Sequence, residues 1–329
     1  MAVQTLLPLA LAVPVYFASR WGTGFIIPHL RLDQPNERSS HVNPTPRGGG
    51  IAILAVLLPV WAALALAGAV PAAILAAVAA AAGLAAISFL DDLKDLPAGW
   101  RLLVQAAAVA AGLAVLPGAG GVFQGILPVW LDLALTALLW LWFVNLFNFM
   151  DGIDGITGCE AGFLGVGIAV AALFGGPEGD IWLGLTLAAA VLGFLKWNWH
   201  PARVFMGDVG SIPLGFLLGF LLLALAARGQ WAAALLMPLY YLGDASWTLA
   251  RRLLRGEKIW QAHREHCYQR AVQLGRRHDG VVRQIAITNA LLLMLALGCL
   301  SGEAWGPLVM GGILAAGQLR ALRRLPSGC

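Results

Sequence analysis

The stretch LDLALTALLWLWFVNLFNFMDGIDG, residues 131–155, decides the fold class. Its first part reads as the interior of a lipid bilayer. At its end Asn145, Asn148, Asp151 and Asp154 follow one another at intervals of three. Polar side chains at membrane depth are costly and usually carry a function. The rest of the chain agrees with the apolar part. Of 329 residues, 60% are hydrophobic and only 12% charged, where ordinary soluble proteins carry roughly 25% charged residues. Such a chain cannot cover itself with polar surface, so the fold class is an all-α integral membrane protein.

Eleven apolar runs approach the roughly 20 residues that a spanning helix needs: 3–19, 50–69, 71–90, 102–117, 129–147, 158–175, 181–196, 211–227, 230–249, 283–300 and 305–319. They are continuously apolar and rich in Ala and Leu, whereas barrel strands alternate. Closely spaced Gly and Ala (AAILAAVAAAAGLAA) let helices approach one another. The expectation is one polytopic helical domain over 1–329. Cations test the topology. If odd-numbered helices run outside to inside, twenty of the 21 Lys and Arg fall on the cytoplasmic side and only Arg228 falls outside, the bias of the positive-inside rule. The N-terminus is then outside and the C-terminus cytoplasmic. The first run lacks the basic start of a signal peptide and is expected to be a retained helix. The basic pI near 9.1 follows from topology and anionic headgroups and calls for no nucleic acid. Cys159, Cys267, Cys299 and Cys329 show no CxxC spacing, so neither a disulfide framework nor a zinc site is indicated.

Under this topology the polar segments, about 20–49, 91–101, 148–158, 197–210 and 251–282, share the cytoplasmic face, and the outer connections are short Gly/Pro turns. Function is expected on that face. In FLDDLKDLP, Asp91, Asp92 and Asp95 lie three and four apart and converge on a continuing helix. They suit a divalent cation or a general base with a raised pKa, or else form a solvated helix end. In 145–155, Asn148 and Asp151 offer the hard oxygens that Mg²⁺ prefers, while Asn145 suits an interhelical hydrogen bond. In NWHPARVFMGDVGS (198–211), Gly207 and Gly210 flank Asp208, so backbone can approach a ligand closely. A helix-entry turn is the plainer reading of the same residues. In HREHCYQR (263–270), His263 and His266 lack an obvious third zinc ligand, and Arg/His clusters more often hold phosphates. Asp244 is expected either to partner one of the nearby arginines or to join the site.

Together these segments resemble one family, the polyprenyl-phosphate N-acetylaminosugar-1-phosphate transferases of the MraY/WecA superfamily (glycosyltransferase 4). The resemblance rests on FLDD (89–92), NLFNFMDGIDG (145–155), NWHPARVFMGDVGS (198–211) and HREHCYQR (263–270), in the family's order. PNERSSHVNPTPRGGG (35–50) and DASWTLARRLLRGEK (244–258) look closest to the WbpL-like, O-antigen-initiating branch. What the resemblance implies is transfer of sugar-1-phosphate from a UDP-N-acetylaminosugar to undecaprenyl phosphate, at the cytoplasmic face of a bacterial inner membrane. UMP leaves, and synthesis of lipopolysaccharide or another cell-envelope glycan begins. It implies Mg²⁺, with Mn²⁺ an alternative, held by Asn148 and Asp208. It places Asp154 on the uracil, with Phe205 stacked on it and Asn198 as a further nucleoside contact. Asp91 and Asp92 become the candidate base, with a covalent role for one of them left open. Asp151 joins the catalytic set without an assigned role, and His263, Arg264, His266 and Arg270 meet the diphosphate or sugar. A helix-packed homodimer is compatible with it. His263-x-x-His266 in place of a histidine run, and PTPRGGG in place of a PTMGG-like segment, argue against the phospho-MurNAc-pentapeptide branch. A transporter or lipid flippase with intramembrane acids is the competing class, but here the acids cluster at helix ends on one face.

Overall fold

The computed structural model describes residues 2–34, 43–94, 96–118, 121–258 and 263–324. Its helices are α1 (Ala2–Ile26), α2 (Gly50–Leu66), α3 (Ile74–Lys94), α4 (Ala98–Leu113), α5 (Val129–Phe149), α6 (Ile156–Leu173), α7 (Glu178–Asn198), α8 (Asp208–Leu225), α9 (Trp231–Leu236), α10 (Leu239–Leu254), α11 (Cys267–Gln273), α12 (His278–Cys299) and α13 (Trp305–Leu322). Seven membrane-length apolar helical segments occur among the described residues, the longest running through α8 and α9, and α2 and α4 are apolar but shorter. Each of the eleven apolar runs is helical, but the ninth is split. Pro238 stands between α9 and α10, where its ring and missing N–H stop a helix from continuing. The segments 35–42 and Asp95, which figure in the sequence reading, lie outside the described residues.

α8 is the central post: 94% of the most apolar 18-residue stretch within Asp208–Leu236 is buried, with α3, α5, α2 and α6 packed around it. A helix apolar on all sides belongs in the middle of a bundle. Trp140 of α5 stacks on Phe216 of α8 (4.8 Å between centroids, 13° between planes) and donates its indole N–H to the Phe216 carbonyl at 3.1 Å. α6 and α7 cross at Gly165 and Gly184, where a side chain on either would run into the other's backbone. Contacts of that kind replace the hydrophobic drive that lipid tails remove.

The segment before α2 carries two features the sequence reading lacked. Arg31–Asp33 (β1) pairs antiparallel with Thr45–Arg47 (β2). The chain then lies against the entry to α8: Phe205 N–H donates to Pro46 O (2.8 Å), Gly48 and Gly49 N–H to Phe205 O (3.1 and 2.9 Å), and Gly50 N–H to Met206 O (3.0 Å). Only glycine permits this approach, because a Cβ on Gly50 would land on the Gly210 backbone. Gly50→Ala is therefore expected to part α2 from α8. The measurement is thermal unfolding of the purified protein in detergent, which should show a fall of about 1–3 kcal/mol, as for overpacked cores. Gly99→Ala, where nothing lies within 4 Å of a new Cβ, should leave the transition where it is.

Candidate functional site

The backbone docking of 46–50 on 205–210 brings Arg47 to Asp208. Arg47 Nη2 donates to Asp208 Oδ1 at 2.7 Å and lies 3.9 Å from Asp92 Oδ1. Asn148, at the end of α5, donates to the same Asp208 oxygen (3.0 Å) and to Ser211 Oγ (2.9 Å). Asp208 opens α8 immediately after Gly207, whose φ of 74° places it in the left-handed region. A carboxylate in the first turn of a helix is favoured by the helix dipole. Asp92, Asn148 and Asp208 therefore meet from α3, α5 and α8 around one guanidinium. Hard oxygen donors of this kind suit Mg²⁺, and Arg47 places a positive charge beside Asp92 and Asp208. Sequence reasoning counted Arg47 only as a topology marker. The signal that could have found it is the glycine triplet after it, which marks close backbone approach.

The two aspartates of FLDD part company. Asp91 accepts from Leu96 N–H (2.8 Å) and from Arg101 Nη1 (2.9 Å), so it fastens the turn between α3 and α4. Only Asp92 faces the Arg47–Asp208 cluster. Asn145 donates to Gln105 Oε1 of α4 at 2.8 Å, the interhelical bond expected of it. Asp151 is half-buried and bonded to Thr157, and burial pushes its carboxyl up to about 6.

Asp154 is buried among partners. Its Oδ2 meets His200 Nδ1 (2.7 Å) and accepts from Ala202 N–H (3.1 Å), and its Oδ1 lies 3.2 Å from His278 Nδ1. Burial alone would raise this carboxyl, yet the bonds from His278 and His200 hold it below the usual carboxylate range. Among the described residues, Asp154, His200 and His278 are the group of three whose side chains lie close enough to share a cation, all within 4.8 Å of one another. Asn198, 3% exposed, accepts from Gly155 N–H (3.0 Å) and donates to Val204 O (2.9 Å). It thereby ties the 151–155 turn to the entry of α8. Phe205, half-buried, anchors the Gly48–Gly49 backbone through its carbonyl.

The basic segment 263–270, a loop that runs into α11, divides into an outward and an inward part. His263, Arg264 and Arg270 are half-buried, whereas His266 is buried. Burial, together with neighbouring His266 and Arg252, pulls His263 down to about 4. Glu265 gathers Arg252 (2.7 Å), Arg255 (2.5 Å) and Arg270 (3.1 Å). Against the effect of burial, these arginines hold its carboxyl down to about 2. Among the described residues Asp244 partners no arginine: its oxygens accept from Tyr240, Thr248 and the α11 backbone.

The sequence is similar to those of known proteins. The sequence profile described as Glycosyl transferase family 4 matches residues 74–226, from α3 through α8 and so including Asp92, Asn148 and Asp208. A decaprenyl-phosphate N-acetylglucosaminephosphotransferase of Mycobacterium tuberculosis is 30% identical over 346 residues, covering 89% of this chain and 82% of its own. The chain belongs to glycosyl transferase family 4. A further relative, named "Probable undecaprenyl-phosphate N-acetylglucosaminyl 1-phosphate transferase", of Bacillus subtilis, is 30% identical over 292 residues, 83% of this chain and 78% of its own. A phospho-N-acetylmuramoyl-pentapeptide-transferase of Moorella thermoacetica is 36% identical over 156 residues, 45% of this chain and 47% of its own. The MraY/WecA resemblance read from the motifs is thus borne out.

His263 gives this family 4 chain a pH signature. Its value near 4 lies below the ordinary 6.5, so between the two the unfolded chain binds a proton that the folded loop refuses. Stability is then fully present above about 6.5 and falls as pH drops toward 4. Melting temperature measured from neutral pH down through that window should fall less steeply for His263→Gln than for the parent protein. Equal slopes would remove His263 from the account.

Proposed function

We propose that the chain transfers N-acetylaminosugar-1-phosphate from a UDP-sugar to undecaprenyl phosphate, releasing UMP, and so begins an O-antigen or another cell-envelope glycan. The observation that carries this reading is the convergence of Asp92, Arg47, Asn148 and Asp208 at the ends of apolar helices. Polar donors meet there beside the membrane-spanning bundle, which suits a charged nucleotide on one side and a lipid on the other. The relatives named above point the same way by their acceptors, decaprenyl and undecaprenyl phosphate. We take the site to face the cytoplasm of a bacterial inner membrane, with eleven crossings and the N-terminus outside.

The chemistry is an exchange at the β-phosphorus of the donor. An oxygen of the lipid phosphate forms the new O–P bond. The bond from that phosphorus to the bridging oxygen breaks, and UMP departs with the oxygen. Asp92 takes the proton of the lipid phosphate, since Asp91 is engaged with Arg101 and the Leu96 backbone. Asp208 and Asn148 would hold Mg²⁺, which would supply charge neutralisation at the diphosphate. Arg47 is close enough to Asp92 and Asp208 to add a guanidinium to the same task. His263 and Arg264, in the loop before α11, and Arg270, on α11, face the diphosphate or sugar. Asp154, aligned by His200 and His278, and Phe205 hold the base, with Asn198 fixing the turn between them.

The lipid tail has a place to lie. An apolar cavity of about 570 Å³ is lined by Leu139, Trp142 and Phe143 of α5, Leu223 of α8, Leu242 of α10 and Trp305 of α13, among others. Trp142 precedes Asn148 by six residues, roughly 9 Å along a helix. The isoprenoid chain can therefore stay in an apolar setting while its phosphate reaches the cluster.

UMP should appear only when UDP-N-acetylaminosugar, polyprenyl phosphate and Mg²⁺ are all present. Sugar nucleotide that crossed vesicle walls uncleaved would sink the enzyme reading. Asp208→Asn and Asn148→Ala should each raise the Mg²⁺ concentration needed for half-maximal rate by about 10- to 100-fold, the range for disturbed metal shells. The FLDD pair should separate in kinetics. Asp92→Asn removes turnover and leaves UDP binding intact, whereas Asp91→Asn lowers melting temperature and keeps measurable turnover.

A further inference from the structure

Asp244 is fully buried on α10, a helix whose N-terminal half is apolar. A carboxylate in such a place is costly unless donors surround it. Here they do. Tyr240 Oη (3.0 Å) and Thr248 Oγ1 (3.2 Å) reach it from its own helix. Cys267 N–H (2.8 Å) and Tyr268 N–H (3.3 Å) reach it from the first turn of α11. The Nδ1 of His266 stands 3.7 Å away, just beyond hydrogen-bonding distance, with its ring stacked on Tyr268 at 12°. At 2% exposure, His266 is turned inward, away from any ligand that His263 or Arg270 could meet.

The bracket continues to the other half of the site. Tyr268, itself fully buried, donates its hydroxyl to the Phe149 carbonyl at 3.0 Å, one residue after Asn148. Gly152 lies against that same hydroxyl and against Gln269, while Gln269 Oε1 accepts the His266 N–H at 3.3 Å. A single buried carboxylate thus holds the start of α11. Through Tyr268, α11 touches the turn that carries Asn148.

We propose that Asp244 is a positioning residue that, with Tyr268, sets the Arg/His loop at a fixed distance from the Asn148–Asp208 centre, so that both can grip one diphosphate. This rests on the reading of the loop as the diphosphate contact. Asp244 and His266 touch no substrate; they act through His263, Arg264 and Arg270. The sequence pairing of His263 with His266 as equal ligands gives way to a division, one histidine facing out and one locking the loop in place. Buried hydrogen-bond networks such as the one around the Asp244 carboxylate, which accepts from Tyr240, Thr248, Cys267 and Tyr268, rigidify a site in this manner.

The test uses the full-length protein in detergent with Mg²⁺, and it compares binding of UDP with binding of UMP. The β-phosphate makes the difference, so the ratio reports the loop and needs no knowledge of the sugar. His263→Ala and Arg270→Ala serve as controls and should cut the UDP preference. Asp244→Asn and Tyr268→Phe, both nearly isosteric, should cut it by about 10- to 100-fold, as outer-shell partners do. Their double variant should do no worse than the more severe single one. If the controls leave the ratio unchanged, the loop does not hold the diphosphate and the reading beneath the proposal fails. If the controls respond but Asp244→Asn and Tyr268→Phe do not, or if they weaken UDP and UMP equally, Asp244 is merely structural and the proposal is overturned. Should Asp244→Asn fail to fold, Tyr268→Phe alone decides between these outcomes.

Discussion

The site depends on one stretch of backbone lying on another. Residues 46–50 run against 205–210 so closely that the facing positions, Gly50 and Gly210, have room for hydrogen alone. The backbone hydrogen bonds between them, donated by Gly48, Gly49, Gly50 and Phe205 N–H, fix the register by main-chain geometry. That register delivers Arg47 to Asp208 and seats the start of α2 against the start of α8. A displacement of even one residue would point Arg47 elsewhere, because adjacent side chains in extended backbone face opposite ways.

Around this contact, carboxylates of the same chemical type acquire different tasks from their neighbours. Asp91 spends both oxygens on Arg101 and a backbone N–H, Asp92 faces a guanidinium, Asp154 lies between two imidazoles, and Asp151 is left with Thr157 and a high affinity for its proton. Sequence spacing cannot see this. It places Asp91 and Asp92 on adjacent positions of one helix end and says nothing of Arg101 folding back from the next helix.

The helical class and the apolar runs were legible because lipid imposes long stretches of one composition. The motif aspartates and asparagines were legible as polar residues where apolar ones belong. What escaped was short or distant. The β1–β2 pair and α11 span three and seven residues, too few to show a period. Pro238 did stand in the sequence, but an apolar run on both sides of it masked the break. His200 and His278 lie 78 positions apart, and only folding puts their rings 5.0 Å from each other. His266 could be recognised as part of a histidine motif, yet nothing local to it revealed that it points inward.

The Trp-lined cavity beside α5 has a consequence for how such a protein meets its lipid. Its rim is made of exposed apolar residues, Ile126, Leu139 and Trp305, so an isoprenoid would arrive sideways through the bilayer. Its supply is then a matter of surface density. Encounter takes place in two dimensions, and occupancy follows the mole fraction of acceptor among the surrounding amphiphiles. Added detergent would dilute the acceptor without changing its amount per millilitre, and two preparations with equal bulk concentration would see different acceptors.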